Sequence, residues 1–506
     1  MSQIGPIIDR ILPSFICLAC VAGASIMQAS AADSPQPNFV LIYADDLGYA
    51  DLGCYGNGYH ETPHIDRLMK DGLRFTEAYA DAPLCAPSRV ALLTGRHSAR
   101  AGCYDVFPRR ILEGVDPDLV DFIPPENRWD LPAGCSILPE YLKQVGYRTG
   151  CFGKWHVGPA KPSTRGFDEF VSIRTISHLD VSEAFIARSR NYPPPEGYSS
   201  EYLTKCAEQF IDSQKDRPFF LYLPHTLVHT AKGSGDARLQ PKPDLLRKYQ
   251  SKDKTELHGN PAYAAMIEAL DQAVGQTMEA LRARGLLDNT LVIFTSDNGG
   301  LLGRKRVTAS GVVVGEITSN HPLRSGKLHL YEGGIRVPTS ISYGNHVRRN
   351  AVSDAVVSQL DLLPTILELA KHSQAKALAE SLDGKSLVSL LSDAGADWPD
   401  RELFWHYPGY RISDPKTMTG QRPESAMRQG DWKMIESLET GNVQLYDLAT
   451  DIGESNDVSA AHPEVVNGLR LRLHQWRVNT SAPMPERKDA VAGQSSESRS
   501  LNNDKR

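Results

Sequence analysis

The stretch Phe39-Val40-Leu41-Ile42-Tyr43-Ala44-Asp45-Asp46 decides the fold: six apolar residues in a row, then two acids. A run of strand length without polar alternation suits a strand buried on both faces, as in a parallel sheet covered by helices. Its end at two carboxylates matters because ligands of open α/β sheets bind beyond the carboxyl ends of strands. The pattern returns at Pro218 to Leu223, followed by His225, and at Leu291 to Thr295, followed by Asp297-Asn298. Helical segments fall between. Thr62 and Pro63 suit a helix start and Gly72 a stop, bracketing His64 to Asp71; a second helix is expected after Cys85-Ala86-Pro87. Leu138 to Val145 reads as helix before the strand-like Tyr147 to Trp155, and Tyr263, Met266, Ile267, Leu270, Val274, Met278 and Leu281 share one helical face. This alternation predicts an α/β class with a large, mostly parallel sheet sandwiched by helices.

After Pro338 the pattern changes. A helix is expected over Gln359 to Ala370, short strands around Phe404-Trp405, Ala426 to Met434 and Val443 to Leu448, and a last helix over Pro463 to Arg477, together a smaller C-terminal α+β subdomain. Phe107 to Pro132 and Thr230 to Asn260 read as insertions or loops. The apolar run Ile11 to Met27, preceded by Arg10 and followed by Ala29-Ser30-Ala31-Ala32, reads as a signal peptide, with Leu18-Ala19-Cys20 leaving a lipoprotein anchor as the alternative. The expected division is 1–32 signal peptide, 33–345 main α/β body, 346–482 subdomain completing the fold, and 483–506 a disordered tail.

The 506 residues are 41% hydrophobic and 23% charged, as in ordinary soluble domains. With 55 Lys+Arg against 61 Asp+Glu, a basic nucleic-acid footprint is excluded. No stable membrane span is expected. Removing the leader takes Cys17 and Cys20 and leaves six of eight cysteines, with no zinc-knuckle spacing. Asp45, Asp46, Asp297 and Asn298 offer only oxygen, which suits Ca²⁺ with Mg²⁺ possible, since adjacent carboxylates repel unless a cation neutralises them. Either pair alone also suits a turn cap.

Leu84-Cys85-Ala86-Pro87-Ser88-Arg89-Val90-Ala91-Leu92-Leu93-Thr94-Gly95-Arg96 places Cys85 at a helix N-terminus, where free amides and the dipole attract an anion. This segment, with CxPSR and the trailing LTGR, resembles the signature of the formylglycine-dependent sulfatases, an arylsulfatase family of the alkaline phosphatase-like superfamily. The resemblance implies that Cys85 is oxidised to formylglycine, which also touches the metal. Further blocks follow in the family's order. Gly153-Lys154-Trp155-His156 resembles GKWH, and Pro224 to Ala231 resembles PHTxxHT, from which His229 rather than His225 is carried over. Ser296-Asp297-Asn298-Gly299 resembles the SDNG metal motif. Leu323-Arg324-Ser325-Gly326-Lys327 with Tyr331-Glu332-Gly333-Gly334-Ile335-Arg336-Val337-Pro338 resembles LRxGK…YEGGxRVP, which supplies a second sulfate-binding lysine, Lys327. The resemblance runs from about Asn38 to Leu473. Departures are Ala231, where Pro is frequent, and a long apolar-basic stretch between Gly300 and Leu323.

The resemblance implies hydrolysis of an aryl or carbohydrate sulfate ester to alcohol and inorganic sulfate. Lys154, Lys327, Arg89 and the metal would surround the sulfuryl group, and one hydroxyl of the formylglycine hydrate, helped by Asp297, would attack sulfur. His229 would protonate the leaving alcohol, and His156 would help the second hydroxyl expel sulfate. A phosphodiester or phosphonate monoester hydrolase on the same site and a sulfated-glycan-binding pseudoenzyme are the alternatives. Expected partners are a sulfated small molecule or glycan and a formylglycine-generating or sulfatase-maturating enzyme, in a secreted or periplasmic setting. Arg109, Arg110, Arg304, Lys305 and Arg306 would suit an anionic polysaccharide, or a solvated face. With Cys85 assigned, five mature cysteines remain, so disulfides need not hold the fold.

Overall fold

Asn38–Ala44 is the fifth of nine strands in the main sheet, and both of its faces are covered. The computed structural model describes residues 36–106, 112–113, 120–128, 130–174, 176–183, 186–214, 217–231, 238–414 and 419–489. The signal-peptide expectation, Arg109 and Arg110, and residues 490–506 of the expected tail lie outside them. Across the sheet the order is Ala351–Ser353, Leu73–Phe75, Thr339–Tyr343, Thr290–Ser296, Asn38–Ala44, Phe219–Pro224, Arg148–Lys154, Glu169–Ile173 and Ile186–Arg188. The five strands from Thr290–Ser296 to Glu169–Ile173 are all parallel to their neighbours. Antiparallel pairing appears outside them, at Thr339–Tyr343 and Ile186–Arg188.

The unbroken apolar run follows from this position. Val40, Ile42 and Ala44 pack with helices Pro63–Lys70, Ser199–Ser213 and Pro261–Ala283 on one face. Phe39, Leu41 and Tyr43 pack with Cys85–Thr94, Leu138–Gln144 and Leu362–Leu369 on the other. Successive side chains point to opposite faces, so a strand covered twice needs apolar residues at every position.

The second sheet is antiparallel throughout: Glu402–Tyr407, Glu424–Gln429, Trp432–Ser437 and Val443–Asp447. One face, with Phe404, Met427, Met434 and Leu445, packs on Leu469, Leu473 and Trp476 of helix Pro463–Thr480. The other, with Leu403, Trp405, Ala426 and Ile435, packs on Leu330 and Ile335. The small sheet therefore backs the segment that bears Lys327.

Four sequence readings need correction. The expected loop Thr230 to Asn260 contains the helix Pro243–Gln250, held by buried Leu245 and Tyr249, four residues apart on one face. The single strand expected over Ala426 to Met434 is a hairpin turning at Gly430, which has φ of 55°. The boundary at 345/346 cuts the main layer, because Ala351–Ser353 pairs with Leu73–Phe75 and helix Leu362–Leu369 covers the main core; the second sheet begins only at Glu402. In the expected tail, Glu486–Arg487 pairs with Phe122–Ile123. All six cysteines of the described residues are free thiols. No helix among these residues is long and apolar enough to cross a membrane.

Candidate active site

Strand register brings the acids together. Ala44 pairs with Ser296 in the parallel ladder, so Asp45 and Asp297 leave adjacent strands at the same level. Backbone bonds then fix the exits. Asp297 N donates to Ala44 O at 3.1 Å, Asp45 N to Leu227 O at 2.9 Å, and Val228 N to Asp45 O at 2.7 Å. Asp46 N donates to Asp297 Oδ1 at 3.1 Å and Asn298 Nδ2 to Asp46 Oδ1 at 2.9 Å. Asp46 and His156 both adopt left-handed backbone, φ 62° and 50°. For non-glycine residues this costs on the order of 1 kcal/mol or more each, a strain that surrounding structure must hold and that clusters at functional sites. Gly299 allows the closest approach: a Cβ there would lie 1.8 Å from Gly333 O, so only glycine lets the Asp297-Asn298 turn sit against the 331–337 segment.

Three cations face the three carboxylates. Lys154 Nζ lies 2.8 and 2.7 Å from Asp45 Oδ1 and Oδ2. Lys327 Nζ lies 2.7 Å from Asp46 Oδ2, and Arg89 Nη2 2.7 Å from Asp297 Oδ2. Arg89 Nη1 also donates to Lys154 O at 2.8 Å, tying the cysteine-bearing helix to the lysine strand. Cys85 begins helix Cys85–Thr94, is 2% exposed, and groups with Asp45 and Asp297 as one of three potential ligands within 4.8 Å. Burial pushes its thiol up, against the pull of Lys154 and Lys327. A thiol so held is a poor nucleophile, because the thiolate is the reactive form.

The two histidines after strand Phe219–Pro224 differ sharply. His229 Nε2 lies 3.6 Å from Asp46 Oδ2 and Nδ1 lies 2.7 Å from Thr230 O. A carbonyl only accepts, so the proton sits on Nδ1 and Nε2 presents its lone pair to the acids. His225 is fully buried with neither ring nitrogen hydrogen-bonded. Burial, reinforced by Lys327 and opposed by Asp46, drives His229 down to about 3. Burial likewise holds His156 well below its ordinary value, with Lys154 and Arg89 adding to it. Burial and then Asp45 push Asp297 up to about 6 despite Arg89. Burial opposes ionisation of Asp46 too, but Lys327 and His229 outweigh it and hold that carboxyl below the usual range.

The structure thus gathers Asp45, Asp46, Cys85, Arg89, Lys154, His156, His229, Asp297, Asn298 and Lys327 at one end of the parallel strands. Supporting residues carry no short motif. His178 Nε2 lies 2.8 Å from His229 O, Tyr263 Oη donates to Asp46 O at 3.4 Å, and Gln359 Nε2 donates to Ser296 O at 2.5 Å. They come from three distant elements, so only the tertiary fold reveals them. The donor set fits a hard divalent cation: three carboxylates converge with Asn298, whose Oδ1 is buried and accepts no hydrogen bond.

Comparison with known proteins finds similarity over most of the chain. The family profile described as Sulfatase matches residues 37–372, and that described as N-sulphoglucosamine sulphohydrolase, C-terminal, matches residues 325–479. Arylsulfatase A of Homo sapiens is 32% identical, covering 90% of each chain. N-acetylgalactosamine-6-O-sulfatase of Bacteroides thetaiotaomicron is 28% identical over 91% of this chain and 98% of its own. Among solved structures, Ps i-CgsB in complex with k-i-k-neocarrahexaose superposes with a TM-score of 0.71 at 27% identity, covering 90% of this chain and 96% of that one.

Proposed function

The chain belongs to the sulfatase family and is a sulfuric ester hydrolase; we propose that it is an exported enzyme that removes sulfate from carbohydrates, with position 85 matured to formylglycine by a dedicated partner enzyme and with Ca²⁺ held by Asp45, Asp46, Asp297 and Asn298. The observation that carries this reading is the placement of Cys85 at a helix N-terminus between the acids, the buried Lys154 and the half-buried Lys327. One relative is named an N-acetylgalactosamine-6-O-sulfatase and a similar structure holds k-i-k-neocarrahexaose, which favours a sugar. An open cleft of about 790 Å³, lined by Lys305, His321, Arg324, His329 and Tyr331, adjoins the Lys327 segment and suits a substrate larger than an aryl sulfate.

The metal would neutralise the carboxylates and draw charge from the reacting group, and a formylglycine hydrate would supply one hydroxyl to attack sulfur and another to release sulfate. The chain's own residues do the rest. Lys154 and Lys327, released from Asp45 and Asp46, bind the sulfuryl oxygens, and Arg89 holds Asp297 in place. His229 is neutral in the free enzyme; an anionic ester beside Nε2 favours its protonation, and the proton then passes to the leaving alcohol. His156, held neutral by burial, accepts a proton in the release of sulfate.

Peptide mass mapping of active protein is expected to show an aldehyde residue at position 85, and an unmodified thiol there would overturn the mechanism. Cys85→Ala is expected to lower kcat by ~10⁶-fold, the scale on which loss of a covalent nucleophile acts. Faster turnover of an aryl phosphodiester than of any sulfated sugar or aryl sulfate would reassign the reaction.

A further inference from the structure

A second group of ligands lies behind the candidate active site, where the chain runs on from Asp46. Asp51, His60 and His258 each offer one ligand atom, all within 4.8 Å of one another, and all three residues are buried. Among the described residues Asp51 pairs with no lysine or arginine, and His60 Nδ1 lies 3.8 Å from its Oδ1. His258 is 7% exposed, and its buried Nδ1 has no hydrogen-bond partner.

The surroundings orient these side chains as outer-shell partners orient metal ligands. Asp51 Oδ2 accepts from Gly48 N at 2.7 Å and Tyr263 Oη at 2.8 Å, and Oδ1 accepts from Thr318 Oγ1 at 2.5 Å. His60 Nδ1 lies 2.9 Å from the Asp51 carbonyl, which places the proton on Nδ1 and the lone pair on Nε2. The His258 ring lies 5.1 Å from that of His60, at 66° to it. Paired backbone and side-chain bonds between Thr255 and His258 close the turn that presents it.

We propose that Asp51, His60 and His258 form a binding site for a first-row divalent transition ion such as Zn²⁺, distinct from the oxygen-only site at the strand ends. Two imidazoles and one carboxylate are the donor set that such ions prefer, whereas Ca²⁺ prefers oxygen alone. Ligand atoms that all lie within 4.8 Å of one another are near the mutual spacing that ligands about 2.1 Å from a zinc ion require. A water molecule would complete a four-coordinate site. The bound ion would fasten the 251–260 loop to the 49–60 segment. Through Arg306 Nη2, which donates to Glu256 O at 3.0 Å, it would also fasten the hairpin Lys305–Val307 and Val313–Gly315.

The test uses the full chain saturated with Ca²⁺, exposed to excess Zn²⁺ and desalted. One zinc per chain is expected by elemental analysis, with Co²⁺ in its place giving the visible absorption of a four-coordinate nitrogen–oxygen site. His258→Ala and His258→Gln should retain no zinc and bind it more weakly by more than the roughly 10–100-fold that loss of an outer-shell partner costs. Both should keep aryl sulfate turnover in Ca²⁺, which shows that they fold. Added Zn²⁺ should raise the melting temperature of the parent and not of either variant. Zinc retained equally by parent and variants, zinc displaced by Ca²⁺, or no zinc retained by the parent would each overturn the proposal.

Discussion

At the strand ends, Asp45, Asp46 and Asp297 face Lys154, Lys327 and Arg89; behind the 331–337 segment, Glu332 and Glu454 face Lys433, Arg336 and Arg428. Both clusters bury carboxylates against basic side chains, yet they are wired differently. In the rear cluster partners are shared. Lys433 Nζ lies 2.8 Å from both Glu332 Oε1 and Glu454 Oε1, Tyr79 Oη donates to Glu332 Oε2 at 2.7 Å, and Arg428 Nη1 bonds to Tyr79. At the strand ends each lysine bonds one aspartate, and Asn298 Oδ1 bonds to nothing. The first wiring resists exchange. The second can part: a cation can take the carboxylates while the lysines turn to an incoming anion.

Breaking the rear cluster tests the first half of this contrast. Lys433→Met leaves two buried glutamates without their shared cation, and the unfolding free energy is expected to fall by about 3–5 kcal/mol, with kcat of the folded fraction unchanged. Denaturant melts read beside active-site titration check both. Lys154→Met should behave in the opposite way. The expected loss is about 10²–10³ in kcat, as for removal of one donor to developing charge, with stability restored when Ca²⁺ takes over Asp45. Equal stability losses for the two variants in saturating Ca²⁺ would erase the distinction.

The smallest effect is a pH slope. Burial and the Glu332 charge push Glu454 up to about 7, against Lys433. An unfolded glutamate titrates near ~4.3. Between those values the folded state holds a proton that the unfolded state has released, so this group's stabilisation is full at lower pH and lost as pH rises towards 7. Glu454→Gln should remove that slope, up to about 1.4 kcal/mol per pH unit for one proton. Because Gln stands in for the protonated carboxyl, the melting temperatures of parent and variant should lie close together at pH 5 and diverge towards pH 7.5, the parent falling below the variant.

What was legible in the sequence depended on how far apart the partners lie along the chain. Asp45-Asp46 and Asp297-Asn298 stood out because an apolar strand stops at each, and Cys85, Lys154 and Lys327 each lie inside a compact motif. The rear cluster is not legible, although Glu332 lies in the Tyr331 to Pro338 block and Lys433 within the strand expected over Ala426 to Met434, because nothing local shows that residues 101 apart share a bond. The Asp51, His60 and His258 group is not legible for the same reason, since its third member comes from a turn within Thr230 to Asn260. Helix Pro243–Gln250 was missed because only Leu245 and Tyr249 face the core, too few to mark a helical period. The hairpin at Gly430 was read as one strand because both arms are buried and only the Gly430-Asp431 pair signals the turn.

The pairing of Ala44 with Ser296 bears on mutational tolerance. Some 250 residues separate these partners, yet the ladder sets the level at which Asp45 and Asp297 leave their strands. Loops in that interval can gain or lose residues without moving the acids. A single-residue deletion within Asn38–Ala44 or Thr290–Ser296 would slide one carboxylate past the other by about 3.3 Å and turn buried side chains to the wrong face. Length variation in this chain should therefore be concentrated outside fourteen strand positions that, by keeping step, write the geometry of the site.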